Sequence, residues 1–204
     1  MFPLALLNKS EQGLLTLLNL EFNGADDSST FTDTSGKGCT VSRRGATTIQ
    51  GNRARFYNDD NLTVQNADTT LFNLAAYDFK VSFDFEVIQL ETQTIIYGNG
   101  TNGATSLHLY IASDSNLKLI KDSVVLFNFG ALSLATNYNV EIERIGSTIA
   151  FKVNGVAQTL LNTFTTTNLD RGGYGGIFGS NQYGSIKQRL YMDNIVIGRK
   201  TLTV

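Results

Sequence analysis

The chain has 204 residues and a formal net charge of −2, with 16 Lys and Arg against 18 Asp and Glu, so it carries no basic excess with which to neutralise nucleic-acid phosphates. Hydrophobic residues make up 42% and charged residues 17%, a balance suited to one large globular β domain and lacking any apolar run long enough for a membrane span. Cys39 is the single cysteine, which excludes an internal disulfide and points either to folding in a reducing compartment or to a chain large enough to need no such cross-link.

The first 14 residues differ from the rest of the chain. Met1 to Ser10 is apolar but has no basic segment ahead of it and no small-residue cleavage site, so no signal peptide is expected. Phe2, Leu4, Leu6 and Leu7 suggest an arm that docks on another subunit; the alternative is that they cover an edge of their own domain. From Leu15 onward the sequence is expected to form one domain, 15–204. Leu15 to Phe22 reads as its first strand, leading into the turn-forming stretch Asn23 to Ser29. Short strands are expected near Cys39–Val41, Ala54–Tyr57 and Leu62–Val64. Phe79 to Val87 alternates most cleanly, with Phe79, Val81, Phe83, Phe85 and Val87 on one face and Lys80, Ser82, Asp84 and Glu86 on the other. Beyond it come four short strands, Thr94–Gly98, Ser106–Ile111, Leu117–Ile120 and Val124–Phe129.

Tyr138 to Gln158 is written as two strands and two turns. Tyr138, Val140 and Ile142 alternate with Asn139, Glu141 and Glu143, and the alternation resumes at Ile149, Phe151 and Val153 beyond Gly146-Ser147. Asn154-Gly155 is a strong hairpin signal, and Glu141 or Glu143 can pair with Lys152 across the strands. A glycine-rich loop is expected from Arg171 to Gly184, and a closing strand from Arg189 to Ile197. Strands at this spacing, without a long helical period, predict an all-β antiparallel sandwich.

The order of the pieces is more specific than any one of them. Phe22-Asn-Gly24, Phe31-Thr-Asp-Thr-Ser-Gly36, the strand Tyr77 to Phe85, the Tyr138–Gly155 hairpin and Leu190 to Gly198 together resemble the laminin-G-like branch of the concanavalin A-like jelly rolls. The resemblance covers about residues 15–200. It implies an antiparallel two-sheet jelly-roll sandwich of about six or seven strands per sheet. Members bind glycans, bind proteins, cleave polysaccharides or build phage particles, so the fold alone selects no function.

Glucan hydrolases of that superfamily project carboxylates from a strand as Glu-x-Asp-x-x-Glu. Asp84 and Glu86 share the period, but Ser82 and Val87 stand where the outer two carboxylates would be. A solvated polar face is the plainer reading, for Glu141 and Glu143 as well. His108, the only histidine, reads as an exposed strand residue beside Tyr110, and the pair could stack on a sugar. Tyr174, Phe178 and Tyr183 form the rim of the glycine-rich loop, where a glycan or partner would be met. Because relatives often hold calcium in loop carboxylates, Asp26, Asp27 and Asp193, with Asp33, Asp59 and Asp60 beside them in the loops, are the candidate metal ligands, and no other cofactor is expected. Cys39 has no neighbouring histidine to activate it.

The resemblance favours a non-enzymatic virion component, a decoration, collar or tail protein assembled in a host cytoplasm. Its partners would be other virion proteins or copies of itself, with a surface glycan as a further ligand and neither nucleic acid nor membrane involved. The alternative is a carbohydrate-binding module or lectin, and a glycoside hydrolase using Asp84 and Glu86 comes third.

Overall fold

The computed structural model describes residues 13–57, 60–75, 77–90, 94–99, 107–165, 169, 173–179 and 189–201. Phe2, Leu4, Leu6, Leu7, Asp59 and Tyr183, and with them residues 1–12 of the proposed arm, lie outside the described residues, while Gly13 and Leu14 open the first strand.

Fifteen strands are described, in chain order β1 (Gly13–Leu20), β2 (Thr40–Arg44), β3 (Thr48–Gln50), β4 (Arg53–Tyr57), β5 (Asn61–Gln65), β6 (Phe79–Gln89), β7 (Thr94–Gly98), β8 (Leu107–Ile111), β9 (Asn116–Lys121), β10 (Val124–Ala131), β11 (Asn137–Ile145), β12 (Thr148–Val153), β13 (Val156–Ala157), β14 (Tyr174–Phe178) and β15 (Arg189–Thr201). They form two antiparallel sheets. The first has the order β13-β12-β11-β6-β15-β4-β3, with β1 added beside β15; the second runs β10-β9-β8-β7-β14-β5-β2. Among the described residues no helix is long and apolar enough to cross a membrane.

The predicted alternation in β6 is realised residue for residue, with Phe79, Val81, Phe83, Phe85 and Val87 buried and the residues between them half-buried. The β11–β12 hairpin places Glu141 opposite Lys152, and in the two-residue turn that joins β12 to β13 Asn154 and Gly155 both take positive φ, 52° and 76°, as a type I′ turn requires. Between the sheets the Phe83 ring lies 6.2 Å from Tyr97 and 6.1 Å from Phe178, and Phe127 meets Phe151 at 5.7 Å. Aromatic contacts therefore join the two sheets both at the centre and towards the β10 edge.

The glycine-rich stretch, expected as loop, is not loop throughout: Tyr174 to Phe178 is a strand, paired with β5 and β7. Its glycines serve close packing, since a Cβ at Gly175 would come within 2.9 Å of the Phe72 ring.

The stretch after β1 folds back on that strand through Asp33. The Asp33 carboxylate accepts the N–H groups of Asn19 (3.0 Å), Ser35 (2.9 Å) and Cys39 (3.2 Å) and the Ser35 hydroxyl (2.8 Å). Burial pushes this carboxyl up, but the hydrogen bonds, led by Asn19, hold it below its ordinary 3.8. A folded-state value below the unfolded one stabilises fully above the ordinary pKa and is lost as the pH falls through the folded value. Asp33→Ala is expected to cost about 1 kcal/mol near neutral pH, allowing for solvent screening of this half-exposed group. Urea titrations should show the gap from wild type narrowing in strong acid; an unchanged gap would contradict the latch.

Candidate functional site

The site is set by a change of partner along β15. Its first residues, Arg189 to Met192, pair with β4, whereas Ile195 to Thr201 pair with β1. At the switch the register against β6 slips between Asp193 and Val196, and Asn194 takes φ 51°. Such a bulge turns side chains away from the regular pleat. Here it leaves Asp193 beside Asp84 and within electrostatic reach of Glu21, at the end of β1, and of Arg53 on β4. Burial pushes the Asp193 carboxyl up, the Asn194 N–H and Arg53 oppose that, and the charges of Asp84 and Glu21 add to it.

The chain leaving β1 walls a cleft beside this point. About 340 Å³ in volume, it is lined by Glu21, Asn23, Ser28, Thr30, Thr32 and Thr34 around Ile49. Glu21 is fixed by two amides, accepting from Asn19 at 3.1 Å and from Asn23 at 3.2 Å, and Asn19 also donates to the Thr34 hydroxyl at 2.8 Å. The local sequence explains the threonines. In Thr30-Phe-Thr-Asp-Thr34 the odd-numbered pair turns towards the protein, Phe31 packing edge-on against Phe22 at 5.9 Å and Asp33 forming its latch. The alternate residues Thr30, Thr32 and Thr34 line the cleft. Sequence reasoning missed this surface, although its signal, hydroxyls at every second position, was present. Hydroxyls, an amide and an ordered carboxylate around a small apolar patch can recognise a polyol; they do not form a nucleophile–base pair.

Next to the cleft, β4 and the start of β15 present arginines and tyrosines, and β3 contributes Gln50. The Arg53 guanidinium lies 4.3 Å from the Tyr191 ring centre and is ion-paired with Glu86. Gln50 accepts from Arg55 at 3.1 Å and from the Tyr191 hydroxyl at 3.0 Å. Asp84 accepts from the Asn139 and Asn194 amides, both at 2.8 Å. The two carboxylates considered for hydrolysis are thus both engaged with protein partners.

The remaining candidates are scattered. His108 is not exposed: it is 1% accessible, its ring packed on Gly98, where a Cβ would come within 2.6 Å of Cδ2. The missing side chain across the strand pair makes room for the imidazole. Tyr110 is half-buried on the same face, opposite Ile95 and Lys118. Tyr174 opens β14, paired with Gln65. Phe178 belongs to no rim; it is fully buried in the core between Phe83 and Tyr97. Strand pairing, invisible in a run of glycines, turned it inward. Asp26 accepts the Gly51 N–H at 2.8 Å, and Asp27, highly exposed, lies 3.7 Å from Arg55. Among the described residues no three His, Cys, Asp or Glu side chains converge as metal ligands. The Cys39 thiol is pushed up to about 11 by burial, with the charge of Asp33 adding, and so is no ready nucleophile.

No family model matches the chain, and no curated protein matches it. Solved structures do. A botulinum neurotoxin type C structure, of a toxin whose cell entry depends on interaction with two ganglioside molecules, superposes with a TM-score of 0.71 at 15% identity, over 92% of this chain and 48% of that one. The binding domain of botulinum neurotoxin DC in complex with rat synaptotagmin II gives 0.65 at 16%, over 93% and 49%. Trypanosoma rangeli sialidase in complex with sialic acid gives 0.69 at 16%, over 94% and 31%. The chain spans about half the length of the toxin structures and about a third of the sialidase. At these identities the likeness shows the fold, a two-sheet antiparallel β-sandwich.

Proposed function

We propose that the chain is a non-catalytic carbohydrate-binding β-sandwich module whose ligand sits in the threonine-lined cleft. The observation that carries this is the cleft itself: three hydroxyls from alternate residues, an amide and an amide-held Glu21 around Ile49, in a volume suited to a small sugar. Glu21 accepts from paired sugar hydroxyls, Asn23 and the threonines donate and accept, and Ile49 meets the apolar face of a ring. Support of a different kind comes from neighbours of the same fold that were solved with, or described as depending on, sialic acid or gangliosides. The engagement of Asp84 with two amides and of Glu86 with Arg53 favours binding over hydrolysis. The virion role expected from the order of the motifs has no counterpart among these neighbours, and the carbohydrate-binding alternative is the better supported.

A glycan array tests the proposal. Wild-type chain is expected to retain a defined set of glycans, and Thr32→Val and Glu21→Ala, both at exposed positions, to weaken retention about tenfold without lowering thermal stability. A chain that binds nothing on the array, or cleft variants that bind as well as wild type, would overturn it.

A further inference from the structure

On the outer face of the first sheet most cations have carboxylate partners. Arg53 pairs with Glu86, Lys80 and Lys152 with Glu141, and Lys200 with Glu143. Arg189 is different. Its guanidinium lies 4.5 Å from the centre of the Tyr57 ring, and it has no carboxylate, carbonyl or hydroxyl partner among the described residues. Its Nε is buried with no acceptor. Arg55 approaches the same ring at 5.7 Å; its Nε is likewise buried without an acceptor, and among the described residues its carboxylate contact is the exposed Asp27 at 3.7 Å. Two guanidiniums thus approach one tyrosine ring, and the carboxylate nearest to either of them among the described residues is Asp27, 3.7 Å from Arg55.

The base under them is rigid. The Tyr57 N–H donates to Asp60 Oδ2 at 3.0 Å, the Asp60 N–H returns to the Tyr57 carbonyl at 3.0 Å, and the other Asp60 oxygen accepts from Ala46 at 2.9 Å. A planar guanidinium held by ring stacking keeps its terminal N–H groups available in a fixed fork, the geometry that matches a carboxylate. Arg189, Tyr191 and Asp193 lie on one face of β15, and four residues of strand carry the surface about 13 Å from Arg189 to the edge of the threonine cleft.

We infer that the Arg189–Tyr57 end of this face is an anionic subsite, which binds the carboxylate of an acidic sugar. This rests on the glycan-binding reading of the cleft and specifies the class of glycan. A neutral unit occupies the cleft and an acidic unit of the same oligosaccharide reaches along β15 to Arg189. Arg53, neutralised by Glu86, and Tyr191, whose hydroxyl is committed to Gln50, form the floor between them.

The test is a titration of the isotope-labelled full chain followed by its backbone amide resonances, with four probes: N-acetylneuraminic acid, its uncharged methyl ester, sodium acetate, and a neutral glycan retained on the array. The acid is expected to shift the amides of Tyr57, Arg189 and Tyr191, with the ester at least about tenfold weaker there. Arg189→Gln should weaken the acid by about tenfold while leaving neutral glycans in the cleft unaffected, and Arg189→Lys, which keeps the charge but loses the fork, should fall between. Ester and acid binding equally, or Arg189→Gln binding the acid as wild type does, would overturn the subsite. Acetate matching the sugar acid would overturn its assignment to a sugar. Neutral glycans shifting the cleft amides while the acid shifts nothing at Tyr57 would sink the subsite alone; no response to any sugar would sink the glycan reading with it.

Discussion

Replacing Arg144 with methionine is expected to cost about 3–5 kcal/mol of folding stability. Arg144 lies in β11 in phase with the apolar residues and is only 8% accessible. The two hydrogens of its Nη1 are shared among the carbonyls of Leu74 (2.8 Å), Ala75 (3.0 Å) and Tyr77 (2.8 Å), and its Nε donates to that of Gly146 (2.8 Å). A single side chain thus satisfies four backbone acceptors, three of them in the connection that leads into β6 and one in the turn of the central hairpin. Methionine fills similar space but leaves all four without a donor, and buried carbonyls are costly to orphan. Urea unfolding should show a lower midpoint with little change in slope. A loss below about 1 kcal/mol would mean that water replaces the guanidinium without penalty.

Phe83→Ala is expected to destabilise the chain by a similar amount, about 3–5 kcal/mol. The Phe83 ring stands where the sheets meet, within 6.2 Å of Phe85 and Tyr97 and 6.1 Å of Phe178. Deleting it removes buried apolar area and leaves a cavity that rigid neighbouring strands cannot close. Phe83→Leu, which keeps most of the volume, should lose only about 1–1.5 kcal/mol. Equal losses for the two variants would contradict a cavity origin.

Phe83 and Arg144 differ in how legible they are in the sequence. Phe83 is placed directly by period-two alternation in β6, which burial reproduces at every position from Phe79 to Val87. Arg144 falls on the apolar phase of β11, where a cation looks like the end of a strand; its role depends on carbonyls about 70 residues away, which no local pattern encodes. His108 and Phe178 fail for a related reason. Alternation assigns a residue to a sheet face but does not say whether that face is covered, so His108, read as exposed, is buried over Gly98. Glycine density suggested turns from Arg171 to Gly184, yet Tyr174–Phe178 pairs on both sides, because a strand in a crowded core can use glycine for clearance.

The candidate site was the least legible part. Thr30, Thr32 and Thr34 carry a readable alternation, but their partners in the cleft, Glu21 and Ile49, arrive from β1 and β3 through the partner switch of β15. Arg189 and Tyr57 are neighbours only through strand register, 132 positions apart in the chain. Both surfaces arise from the topology, and neither is a local motif.

The most direct measurement is a map of where a bound neutral glycan shifts the backbone amides of the intact chain, using the tightest neutral ligand found on an array. The largest shifts are expected at residues 19–34 and 48–51, around Glu21, the three threonines and Ile49, with little change on the outer face of β8 and β9. Shifts concentrated around Tyr110 and Lys118 instead, or spread without a centre, would contradict a binding site in the cleft beside β15.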